Sequence, residues 1–138
     1  MSAMTDEDSE SPRRRQASAE ALAGRQAAML VRELNRRLGA WQATSVKLHA
    51  MAQRLKAAGR HDPAVADEAM ALLLLVRCEA RRFEAMLPDL PPAVSQHGRI
   101  KDTSRSFEMI TDRLRAALTY LGVEPDRYEG RVDEVTRR

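Results

Sequence analysis

Three histidines, one cysteine and a row of cations are the residues from which any reaction or binding site in this chain has to be built. His49, His61 and His97 lie far apart in sequence. None stands in an H-E-x-x-H, C-x-x-C or E-x-x-H arrangement, the spacings that put two ligands on one helix face or turn so that they can hold a metal. No glycine-rich loop offers backbone N–H groups to a phosphate. The expectation is therefore a non-enzyme, with no catalytic, cofactor-binding or metal-ligating residue and no cofactor.

The cations are more informative. Between Arg13 and Arg60 there are eleven Lys or Arg against only Glu20 and Glu33, so this segment carries most of the positive charge behind a net +3. Arg25, Arg32, Arg36, Lys47 and Arg54 recur at helical spacing, a pattern that can track a phosphate backbone or meet an acidic protein. No helix-turn-helix spacing, aromatic platform or zinc motif accompanies them, which favours a protein partner over nucleic acid.

The element that positions these cations runs from Ala27 to Leu55. Residues 27, 31, 34, 38, 41, 45, 48, 52 and 55 read Ala, Val, Leu, Leu, Trp, Ser, Leu, Ala, Leu in alternating steps of four and three, the seam of a long amphipathic helix. With this seam as heptad positions a and d, Arg25 and Arg32 fall at b, Lys47 and Arg54 at c and Arg36 at f, all on the outer face. Ser45 is the one polar seam residue and can bond back to a helix carbonyl. Trp41 reads as a structural residue, whose truncation to Ala removes about 3–5 kcal/mol if the ring is fully buried. Along the e edge, Asn35, Gln42, His49 and Lys56 form a polar row, read as the wet border of a bundle in preference to a polar groove facing another helix.

The first helix is expected to start near Ala19 behind a Ser18 cap and to end near Ala58, with Gly59 as its left-handed terminator. Asp62 and Pro63 then cap and open a second helix that closes before Pro88, its seam being Ala66, Ala69, Leu73, Val76, Ala80, Phe83 and Leu87. The short turn predicts an antiparallel hairpin. A proline-rich connector of about twelve residues leads to a third helix capped by Asp102 or Thr103, with Phe107, Ile110, Leu114, Ala117 and Leu121 on one face and Gly122 at its end.

The fold class is all-α: a long antiparallel hairpin with a third packed helix, a three-helix bundle open to completion by oligomerisation. Residues 1–16 are expected to be a disordered acidic and basic leader, 17–122 the bundle and 123–138 a charged tail. The run His97-Gly98-Arg99-Ile100-Lys101 resembles the phosphorylated-histidine pattern of phosphotransfer domains in part only, one residue too long and set in the connector.

The back of the second helix carries Ala71, Leu74, Leu75 and Cys78, a second apolar surface read as a homodimer interface. Cys78 is the only cysteine, which excludes an intramolecular disulfide and points to a reducing, cytoplasmic setting. The longest aliphatic run, Leu72 to Val76, is far too short for a membrane span. The bias of Arg over Lys fits a bacterial source. The functional expectation is a helical interaction protein, such as a small adaptor, secretion-type chaperone or regulatory subunit, with a basic nucleic-acid-binding regulator as the alternative.

Overall fold

A computed structural model describes residues 2–125, with side chains from residue 12 onward. The described chain is helical without strands: α1 (Ser2–Ala57), α2 (Pro63–Met86), a 3-10 turn (Leu87–Asp89), a single-turn α3 (Pro92–Ser95) and α4 (Gly98–Tyr120). The expected tail beyond residue 125 lies outside the described residues.

Terminators and caps account for the helix boundaries. Gly59 adopts φ 63°, and the Arg60 N–H reaches the Leu55 carbonyl at 2.9 Å while the Gly59 N–H reaches Lys56 at 3.1 Å, the paired bonds of a Schellman ending. Gly122 does the same for α4 at φ 76°, with Val123 N–H on Leu118 at 2.9 Å. Asp62 accepts the Ala64 N–H at 3.1 Å and Pro63 takes the first helical position, where its missing donor is harmless.

Two boundaries differ from expectation. α1 is helical from Ser2, not from about Ala19, and passes Pro12. Residues 12–22 are nevertheless all exposed, so this stretch is supported by its own helical propensity and not by packing. α4 begins at Gly98 and is capped by His97, whose Nδ1 accepts the Arg99 N–H at 3.2 Å. Thr103, expected as a cap, is instead buried at 1% exposure.

The three seams fill one core. All of the expected α2 residues from Ala66 to Phe83 are buried, as are Phe107, Ile110, Leu114, Ala117 and Leu121. The connector adds Val94, which a run of prolines hides from a periodicity argument. α4 also buries Thr111 and Leu118, each adjacent to another core residue. Successive residues on a helix point about 100° apart, so such pairs face two neighbours at once. α4 accordingly lies in the groove between α1 and α2 and is the main partner of both. The hairpin expected to be the primary contact is thus bridged by the third helix.

α1 responds to this arrangement. Its a positions Val31, Leu38, Ser45 and Ala52 are buried, and at d Ala27 and Leu48 are buried while Leu34, Trp41 and Leu55 are only half-buried. Trp41 is therefore not the enclosed core residue that its place in the seam implies.

Candidate functional site

The two long edges of α1 face different surroundings. The polar e edge, expected to be a wet border, keeps Asn35 and Lys56 exposed and also reaches α4. Thr103 Oγ1 donates to Asn35 Oδ1 at 2.9 Å. The Tyr120 ring meets His49 edge-on at 5.5 Å and Lys56 Nζ at 5.3 Å. Ser45 donates to the Gln42 carbonyl at 2.7 Å, the expected back-bond, and also receives Arg113 Nη1 at 3.3 Å. These contacts tie α4 to α1. Thr103, Arg113 and Tyr120 escape a reading of α1 alone because their partners lie at least 60 positions away in sequence.

The opposite edge faces α2 and is open. Arg37 Nη1 bridges to Glu79 Oε2 at 3.5 Å, and the same guanidinium lies 5.6 Å from the centre of the Trp41 ring. Along the same two helices Leu30 and Leu75 are 41% and 46% exposed, and Met51, Leu72 and Met86 are half-buried. Of the four residues singled out on the back of α2, Ala71 and Leu75 are exposed while Leu74 and Cys78 are partly buried. At the open end of the bundle, Met29, Leu30, Leu90, Pro91 and Val94 line an apolar depression of about 480 Å³.

On the basic face Arg25, Arg32, Arg36, Lys47 and Arg54 are all exposed. Arg36 is partly neutralised by Glu33 at 3.4 Å. Arg54 borders a shallow depression with Leu55, Arg60 and Val65 at the hairpin turn.

A small polar cleft between α2 and α4 holds Arg77, Glu84, Glu108 and Asp112 above the Phe83–Phe107 pair. It encloses only about 100 Å³, too little for a substrate of ordinary size. Among the described residues no group of three or more His, Cys, Asp or Glu is placed to hold a metal ion. His49 packs on Tyr120 and His97 caps α4, while His61 is exposed in the turn, so the structure does not bring the histidines together.

No described helix is long and apolar enough to cross a membrane. Comparison with protein-family profiles, with curated proteins and with solved structures finds no match for this chain.

Proposed function

We propose that this chain is a non-enzymatic interaction protein, of the small adaptor, chaperone or regulatory-subunit kind, that works by packing a helix face against a protein partner. The observation that carries this reading is the half-buried Trp41 on the open α1–α2 edge, under the Arg37 guanidinium, with the exposed Leu75 on the neighbouring helix α2. A large aromatic ring with an arginine over it, bordered by aliphatic side chains, has the composition of an interface anchor. A bundle that needed this edge only for its own core gains nothing by leaving it wet.

The basic face supports a second reading, a helical nucleic-acid-binding regulator, because its five cations are exposed on one helix. Affinity capture from cells with and without nuclease, followed by mass spectrometry, separates the two. A partner retained after nuclease and lost with Leu75→Glu supports protein packing. Capture that disappears with nuclease, together with retardation of DNA or RNA that fades when Arg32, Arg36 and Lys47 become Gln, transfers the assignment to nucleic acid.

A further inference from the structure

We propose that the partner of the open α1–α2 face is a second copy of this chain, laid on it across a two-fold axis. This rests on the helix-packing reading above and specifies its occupant.

Position comes first. α4 covers one side of the α1–α2 pair, as the Asn35–Thr103 and Phe83–Phe107 contacts establish. The Arg37–Glu79 bridge lies on the side away from these α4 contacts, and the connector reaches α1 only towards the open end, at Met29 and Leu30. Trp41 and Met51 of α1 and Leu72, Leu75 and Met86 of α2 leave apolar surface there in the pattern of a bundle that lacks its remaining helices.

Charge identifies the occupant. The bridge fixes which residues of the two antiparallel helices lie at one level. Counting turns from it, Glu33 and Arg82 lie one turn towards the open end. Ala40 and Leu75 lie one turn towards the hairpin turn, and Lys47 and Glu68 about three turns that way. The outer rim of this face therefore reads acid, small, base along α1 and base, apolar, acid along α2. A two-fold axis along the helices sets Glu33 against the partner's Arg82 and Lys47 against the partner's Glu68. A two-fold axis across the helices sets Glu33 against the partner's Lys47 and Glu68 against the partner's Arg82. Opposite signs meet at both ends in either case, with Ala40 and Leu75 in the middle, which is the self-complementarity an isologous interface requires. A partner helix of one charge sign meets like charge at one end of each rim. Glu33 and Arg82 have surface partners within their own helices, Arg36 at 3.4 Å and Glu79 at 3.0 Å, but their side chains are 67% and 77% exposed and free to reach outward.

The test is sedimentation equilibrium of the full chain over a concentration series at low and high salt, with circular dichroism of every variant. The expected result is a dimer that weakens as salt rises. Leu75→Glu should raise its dissociation constant by about a hundredfold while helicity is kept. Met109→Glu, a 51% exposed site on α4, should leave it unchanged. If Leu75→Glu does not fold, Lys47→Glu at an exposed position serves instead: it should weaken the dimer about tenfold. Reversing all four rim charges, at Glu33, Lys47, Glu68 and Arg82, should restore it. A monomeric mass throughout overturns the second copy as occupant, and nuclease-resistant capture of another protein would then still uphold the packing reading. A dimer that ignores Leu75→Glu and Lys47→Glu overturns the proposed face.

Discussion

Thr103 of α4 and Asn35 of α1 meet at 2.9 Å, and further along the same two helices Arg113 and Ser45 meet at 3.3 Å; both pairs span 68 residues. A constant offset means that α4 runs parallel to α1 without slipping in register, so each turn of one helix keeps the same neighbour on the other. The Thr103 hydroxyl also lies 3.0 Å from the Arg99 carbonyl, and its one proton serves one acceptor at a time.

This bond is expected to stabilise the α1–α4 pair and not merely to satisfy Thr103 locally. A double-mutant cycle of Asn35→Ala and Thr103→Val, read by urea unfolding, should give a coupling of about 1 kcal/mol. A coupling of zero would mean that the Arg99 carbonyl alone holds the hydroxyl.

The two glycines inside α1 should respond oppositely to alanine. Nothing lies within 4 Å of a Cβ added at Gly39, so Gly39→Ala should stabilise the protein by about 1 kcal/mol through helix propensity alone. At Gly24 an added Cβ lies 3.2 Å from His97 Nε2. Gly24→Ala must therefore push on the residue that caps α4, and its propensity gain should be absent or reversed in a thermal melt.

His97 itself should behave as a cap. His97→Ala is expected to lose about 1 kcal/mol, whereas His97→Asn, whose side-chain oxygen can take the same Arg99 N–H, should retain most of it. Equal losses in the two variants would place the contribution of His97 in its packing on α1.

Much of this fold was legible in the periodic residues and little of the rest. Gly59, Asp62, Pro63 and Gly122 act on their own backbone within a few positions, so spacing alone places them. The seams of α2 and α4 follow from steps of three and four. Which helix α1 prefers did not follow, because that depends on Thr111 and Leu118 widening the α4 stripe to face two neighbours. His97 as a cap was missed for a local reason: histidine is an infrequent cap, and Asp102 and Thr103 stood nearby as better-known ones. The e edge is a solvent border, with Asn35 and Lys56 exposed, but its polarity does not disclose that it also meets Thr103 and Tyr120. For the open face, the residue types Leu75 and Trp41 were visible, but the half-burial of Trp41 was not.

Trp41 should contribute less to stability than a fully enclosed ring. Because it is half-buried, Trp41→Ala is expected to lose about 2 kcal/mol in a chemical melt, below the range for a tryptophan removed from a sealed core. A larger loss would return Trp41 to the core.

Trp41 is the only tryptophan in the chain, so all of its tryptophan emission comes from the open edge of the bundle. The most direct measurement is that emission spectrum over a dilution series, with iodide quenching, for the native protein and for Leu75→Glu. If the face is covered by a partner copy, emission should move to longer wavelength and quenching should rise on dilution, while Leu75→Glu should show the diluted spectrum at every concentration. A native spectrum that stays constant and quenchable across the range, identical to that of Leu75→Glu, would contradict the account.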